Sequence, residues 1–408
     1  MSIVVLKYGG SSVSDTGQIG AIARQIIQAK AAGDEPVVVV SAMGNTTDQF
    51  LKMAYAITDR PGARELDMLL SVGERISIAL LAMAINALGP YEAVSLTGSQ
   101  VGIITDTNHT QAKIVEVRCG RIFQVLEQGK IPIIAGFQGV SIEKEITTLG
   151  RGGSDTTAVA LAAALGASQC RIMKDVAGVY TADPRQVPEA HLIDQVSYDQ
   201  MLEFSATGSK VLAVDSVALA RQHNVEIAVG ISTTGAIGTI VTAGDFSGGG
   251  AKGVVAYRKL KALRLHQHSV LATALADLQN CRVAVRSLHS EGNRPVLLID
   301  ALDEFPQTER TKKKTSLSKI ESRIEQTEWG HKAWHYRRLF VRVSIIGSGL
   351  EPGGRHFTRL LEALAGIQCQ PRWFCCSPIR ISFCAQDEQV PDLLNCLHRG
   401  LIEYPSAK

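Results

Sequence analysis

The features that most quickly settle the function of a chain are missing from these 408 residues. Neither GxxxxGK[ST] nor a regular GxGxxG occurs, so the two commonest nucleotide fingerprints are absent; "GSGLEPGG" (347–354) has the wrong spacing. The eight cysteines (Cys119, Cys170, Cys281, Cys369, Cys375, Cys376, Cys384 and Cys396) show no paired CxxC spacing, which argues against a zinc site or a disulfide framework and for reduced thiols. Charge of one sign is not in excess: the net charge is +3, and the one basic cluster, "ERTKKKTSLSK" (309–319), reads as a solvated loop, so nucleic acid is not an expected partner. Apolar runs of the ~20 residues that span a bilayer are lacking, each being interrupted by charge or glycine, and no membrane partner is expected. The start, "MSIVVLKYGG", has no basic region or small-residue cleavage site, and the expected location is the cytoplasm.

What is present is ordinary globular composition, 45% hydrophobic and 20% charged. At this length two or three domains are expected, since single cores rarely exceed about 250–300 residues. Short β-branched runs alternate with helical patterns through the first 245 residues. The runs 2–8, 36–42, 131–137, 170–176 and 225–231 predict strands, and Ile19, Ile22, Ala23, Ile26 and Ile27 predict a helix over 16–33. This alternation predicts an α/β fold, a mainly parallel sheet between helices. The glycine cluster in 242–254 predicts a linker or turn between domains. Beyond it, 283–288 and 295–300 predict strands before a long polar stretch, and 339–408 reads strand, helix, strand, helix, a small α+β module whose helix sets Phe357, Leu360, Leu361 and Leu364 at core spacing.

Two glycine loops carry the chemistry. "KYGGSSVSD" (7–15) follows the first predicted strand, where ligands sit in open α/β sheets. "TTLGRGGSDTTAVALAAALG" (147–166) crowds Arg151, Asp155 and three glycines against an alanine-rich helix, with Ser154 read as its N-cap and Gly166 as its stop. Glycines at a helix N-terminus let an anion approach free N–H groups and the positive dipole end. With Lys7 as cation, the loops suit phosphoryl transfer better than hydride transfer.

Eight ordered blocks, "KYGGSSV" (7–13), "VVVVSAMGNTTD" (37–48), "LLSVGERIS" (69–77), "SLTGSQVGIIT" (95–105), "AGFQGVS" (135–141), "TTLGRGGSDTTAVALAAALGA" (147–167), "DVAGVYTADPR" (175–185) and "MLEFSATGSKVL" (201–212), resemble the signatures of the aspartokinase family within the amino-acid kinase superfamily. Residues 339–383 resemble the last ACT regulatory module of that family. The resemblance implies an amino-acid kinase fold over 1–245, a degenerate first ACT-like module over 255–338 and a second over 339–408. It implies ATP, magnesium and L-aspartate as ligands, and a homodimer through the C-terminal region. Lys7 and Asp155 would be catalytic: Lys7 neutralising the transferring phosphoryl group, Asp155 orienting Lys7 and the phosphate donors or holding magnesium. Tyr8, Gly9, Gly10, Ser41, Ser154, Lys174, Asp175, Tyr180, Asp183, Pro184, Arg185 and Lys210 would line the nucleotide, and Thr47, Glu74, Arg151, Gly152, Gly153 and Ser154 the amino acid. No dedicated metal ligand is implied.

The chain departs from the family at Lys174, usually threonine, and at Gly230 and Ile231, commonly Arg-Ser. A paralogue acting on another amino acid and a catalytically weak regulatory homologue are the alternatives. The first regulatory module lacks the family's clear Pro-Gly turn and following helix. Lysine and threonine are therefore expected to inhibit weakly or not at all; titrating both at subsaturating aspartate checks this, and half-inhibition at submillimolar concentration would refute it.

Overall fold

In the computed structural model, residues 2–244, 249–280, 283–300, 327, 334–335 and 339–402 are described. The chain forms two compact units, Met1–Val179 with Leu192–Phe246, and Tyr180–His191 with Ser247–Lys408.

The first unit is built on an eight-stranded sheet. In chain order its contributors include β1 (Ser2–Tyr8), β2 (Asp34–Val40), β3 (Ala93–Leu96), β6 (Ile131–Ala135), β9 (Gln169–Lys174), β10 (Gln195–Ser197), β11 (Ile227–Ile231) and β12 (Ile237–Thr242), ordered β10-β12-β11-β9-β1-β2-β6-β3. All its pairings are parallel except β11 with β12, as the alternating pattern predicts. The central strands are continuous valine and isoleucine runs because helices cover them on both faces. Helix α1 (Thr16–Ala31) is capped by Asp15, whose carboxylate accepts the Gln18 N–H at 2.9 Å, and it buries Ile19, Ile22, Ala23 and Ile26. The strands β4 (Ile103–Thr105), β5 (Ile114–Val117), β7 (Gln138–Ser141) and β8 (Ile146–Thr148) form a separate four-stranded sheet, ordered β5-β4-β7-β8.

Helices α2 (Thr46–Ile57), α3 (Ala63–Leu70) and α4 (Val72–Leu88) follow β2. Together α3 and α4 make one helical stretch, Ala63–Leu88, long and apolar enough by length and composition to cross a membrane, although Arg64, Glu65, Asp67, Gly73, Glu74 and Arg75 interrupt it as expected. The charges fall near its start, which leaves the rest of α4 apolar for packing: Ile78, Leu81, Ala82 and Ile85 lie in the core beside α1.

In the second unit the glycine-rich 242–254 does not end as a linker. Gly250 opens a fifteen-residue strand, β13 (Gly250–Arg264), whose first half pairs with β17 (Phe340–Ser348) and second half with β15 (Arg294–Asp300). With β14 (Val285–Glu291), β16 (Trp334–His335), β18 (Arg372–Ser377) and β19 (Arg380–Gln386) they make an antiparallel sheet ordered β14-β15-β13-β17-β19-β18, with β16 on β13. A helix absent from the expectation, α9 (Leu271–Asn280), follows β13: Leu271, Ala274, Leu275 and Leu278 recur at helical spacing and pack on Leu263, Leu297 and Ile299. The sheet thus carries two β-α-β-β passes, the second with α10 (Arg355–Gly366) and a closing helix α11 (Val390–Leu401). The polar stretch 301–338 lies almost wholly outside the described residues.

Residues 180–191, expected within the first domain, pack in this unit. Ala182 and Val187 enter its core, the Thr181 hydroxyl meets His398 Nε2 at 2.8 Å, and Asn395 Nδ2 donates to the Gln186 carbonyl at 3.2 Å. Of the four positions expected on the core face of α10, Leu360 and Leu364 are buried, Phe357 packs beside them, and Leu361 is 45% exposed. At about 100° per residue Leu361 falls at the edge of the arc centred on the other three. Truncating Phe383, fully buried and 5.4 Å from Phe374 between ring centroids, to alanine should cost about 3–5 kcal/mol, whereas Leu361→Ala should change stability by about 0.5 kcal/mol or less. Denaturant unfolding of the two variants checks the contrast.

Candidate active site

Sheet register brings the charged groups together. In the parallel pair of β1 and β9, Lys7 lies opposite Ile172. Lys174, two residues on, therefore projects from the same face as Lys7. Helix α6 (Gly153–Leu165) covers that face and packs on both strands. Its first turn supplies Asp155, only 3% exposed, whose Oδ1 lies 2.6 Å from Lys7 Nζ and whose Oδ2 accepts from Lys174 Nζ at 2.8 Å.

Burial pushes the Asp155 carboxyl up, but the two lysines outweigh it and hold the group below the usual carboxylate range. Burial lowers the Lys7 ammonium, with Asp155 opposing and Lys174 adding to the fall. Two ammonium groups thus share one carboxylate among side chains largely shielded from solvent, an arrangement that can attract an anion.

The glycine turn borders these charges. Gly9 precedes a single 3₁₀ turn (Gly10–Val13), and the Ser12 N–H returns to the Gly9 carbonyl at 3.0 Å. A Cβ on Gly10 would lie 2.7 Å from the Ala42 carbonyl oxygen, and one on Gly9 would stand 3.7 Å from Lys7 Nζ, so the turn abuts both β2's end and the lysine. The Ser41 N–H donates to the Tyr8 carbonyl at 3.1 Å. The Tyr8 side chain is buried in the core beneath, so its backbone alone borders the turn.

Glu74, in the first turn of α4, is 3% exposed. Its Oε1 accepts the Ala42 N–H at 3.0 Å, while its Oε2 is buried without a hydrogen-bond partner. Burial pushes this carboxyl up to about 7, against the pull of the Ala42 N–H and of Lys7. A buried acceptor left open in this way awaits a donor.

Ser154 is not the N-cap expected. Gly152, with φ +74°, takes that position, and helix α6 starts at Gly153. A Cβ on Gly152 would lie 2.3 Å from that of Ala213, so this turn both needs positive φ and has no room for a side chain. Ser154 instead lies in the first turn, against Gly136, whose own Cβ would come within 2.8 Å of it. Gly166 stops the helix in the left-handed conformation as expected.

The remaining predicted residues are more open. Arg151, Asp175 and Lys210 are exposed and have no ion pair among the described residues, and Thr47 is half-buried at the start of α2. Tyr180, Asp183, Pro184 and Arg185 lie in the second unit, where Asp183 accepts the Arg185 N–H at 3.0 Å. Sequence reasoning missed Ala42 and Gly136, since neither a backbone N–H nor a close approach has a residue-type signature. Among the described residues no group of three or more His, Cys, Asp or Glu side chains could hold a metal. With both oxygens engaged by lysines, Asp155 does not fit the part of a magnesium ligand.

The sequence profile described as the amino acid kinase family matches residues 2–230. The chain is 40% identical over 411 residues to an aspartokinase of Corynebacterium efficiens, covering 98% of this chain and 96% of that protein. It belongs to the aspartokinases of the amino acid kinase family. A further aspartokinase, from Geobacillus stearothermophilus, is 37% identical over 424 residues, 100% of this chain and 99% of that protein. A crystal structure of E. coli aspartokinase III in complex with aspartate and ADP matches with a TM-score of 0.78 at 23% identity, over 98% of this chain and 100% of that one, a likeness of fold.

Glu74 gives a test within the family's fold. Its raised pKa means the fold binds the proton more tightly than the unfolded chain does, so the associated stability is complete below the ordinary value of 4.5 and is lost as pH rises through about 7. Glu74→Gln, which keeps the Ala42 bond and removes the charge, should stabilise the unliganded protein at pH 8 by up to about 3 kcal/mol and hardly at all at pH 5. Melting temperatures at the two pH values decide it.

Proposed function

We propose that this aspartokinase-family chain transfers the γ-phosphoryl group of ATP to the β-carboxylate of L-aspartate, giving 4-phospho-L-aspartate and ADP, the first step toward lysine, threonine and methionine. The observation that carries the reading is the buried Asp155 gripping two lysines beside the glycine turn. The β-carboxylate is ionised at neutral pH, so its oxygen attacks the γ-phosphorus without a base. The new O–P bond forms as the bond from the γ-phosphorus to the bridging oxygen breaks, and the electron pair leaves on ADP. What the protein must supply is position and positive charge.

Lys7 and Lys174 meet the charge on the phosphoryl oxygens, and Asp155 fixes both without acting as a base. Gly9 and Gly10 admit the phosphates close to the backbone, with Ser41 and Ser154 beside them. Arg151 clamps a carboxylate of the amino acid through its planar fork, and the open Oε2 of Glu74 receives the ammonium. Thr47, Gly152 and Gly153 complete that side, and Asp175 and Lys210 serve the nucleotide. The two β-α-β-β passes of the second unit are read as the ACT-like modules, and the chain as a homodimer formed through them; the ends of their sheet, β14 and β18, offer edges for pairing.

A coupled assay with ATP, magnesium and a panel of amino acids tests the reading; turnover with another amino acid in preference to aspartate would displace it. Lys7→Ala should lower kcat about 10²–10³-fold with little change in melting temperature. Lys174→Met, at a more exposed position, should cost less than Lys7→Ala but more than tenfold, on the order of 2 kcal/mol in barrier. Near-normal turnover in either variant would remove that lysine from the reaction.

A further inference from the structure

Outside the phosphate pocket the first unit buries a second carboxylate. Asp67, on α3, has no exposure to solvent. Its Oδ1 accepts from the Thr148 hydroxyl at 2.5 Å and the Thr110 N–H at 3.0 Å, and its Oδ2 lies 2.6 Å from His109 Nδ1. It touches none of the groups assigned to phosphoryl transfer, yet it meets three segments that lead to the amino-acid side of the site.

The first segment is its own helix. The Ser71 N–H donates to the Asp67 carbonyl at 3.0 Å, the Ser71 carbonyl accepts from Gln138 Nε2 at 2.8 Å, and α4 begins at the next residue with Glu74 in its first turn. The second is β8, which ends at Thr148, three residues before Arg151. The third is the 106–112 loop, held by Thr110, which takes φ +68°, and by the Ala112 N–H on the Thr148 carbonyl at 2.9 Å. This loop stands behind the Arg151 turn: a Cβ on Gly150 would come within 3.3 Å of the Thr110 carbonyl oxygen. A non-glycine residue in the left-handed region persists only where its surroundings fix it, and here the carboxylate accepts the N–H of that same residue.

We propose that Asp67 is a positioning residue that sets Glu74 and Arg151 at the separation needed to grip the amino acid, with His109 and Thr148 as its partners. The inference rests on the reading that those two groups hold the amino-acid substrate.

The test uses the full-length protein with Thr148→Val, His109→Ala and Asp67→Ala, and with Asp67→Asn, which keeps the Oδ1 acceptor for Thr148 and Thr110. The first three should raise KM for aspartate about tenfold or more and leave KM for ATP within about twofold, while Asp67→Asn recovers most of the loss. Hydrogen exchange of the unliganded protein is read in parallel. Amides of 148–153 should exchange at least about tenfold faster in His109→Ala and Thr148→Val than in the wild type, as expected when local opening becomes easier. Equal rises in both KM values, or a lower melting temperature with unchanged kinetics and exchange, would overturn the proposal. If the wild type fails to phosphorylate aspartate, the substrate reading falls by itself, and the exchange measurement still decides whether Asp67 holds the Arg151 turn.

Discussion

One carboxylate holding two ammonium groups is the constraint around which the first unit is arranged. Two lysines on one carboxylate repel each other, and burial adds to the cost for Lys7, an effect that the Asp155 carboxylate between them opposes. Asp155 in turn must come from the first turn of a helix that crosses the ends of adjacent parallel strands. That requirement explains why α6 is alanine-rich and buried on nearly every side, and why it begins at a left-handed glycine with no space for a side chain. The parallel sheet, the tight turn at Gly152 and the small residues of α6 serve the same end, bringing three charged groups to one point with little freedom to move.

Much of this was legible in the sequence because it depends on local periodicity. The strands of the parallel sheet are β-branched runs, α1 shows its apolar stripe, and two glycine loops carry Lys7, Arg151 and Asp155, whose individual roles came only from the resemblance of the surrounding blocks to the aspartokinase signatures. What escaped was set by long-range contacts. Gly250 reads as part of a linker, yet it opens a strand whose two halves pair with different neighbours. Ser154 has the right chemistry for a cap, but close packing on Gly136 places it inside the helix. The helix α9 carries an apolar stripe that was hidden by the irregularity around it. Asp67 looks like any surface acid in "ARELDMLL", and no residue-type rule announces that all its oxygens face inward.

Burial of acids is a recurrent choice here, with different outcomes. Asp155 stays ionised because cations surround it, whereas Glu74, with one N–H and an empty oxygen, is poised near neutrality. A site built this way stores instability that a bound ammonium would relieve, so stability and recognition pull against each other at the same side chain.

The placement of residues 180–191 bears on how such a protein can be cut and recombined. The chain leaves the first unit at Val179, contributes Ala182 and Val187 to the core of the second, and returns at Leu192. No single scission separates the units cleanly: a fragment ending near residue 246 would carry these apolar side chains without their partners, and a fragment starting there would have a hole in its core. Exchange of C-terminal halves between relatives, by evolution or in the laboratory, therefore has to move this twelve-residue excursion together with the C-terminal sheet, or match its contacts residue by residue.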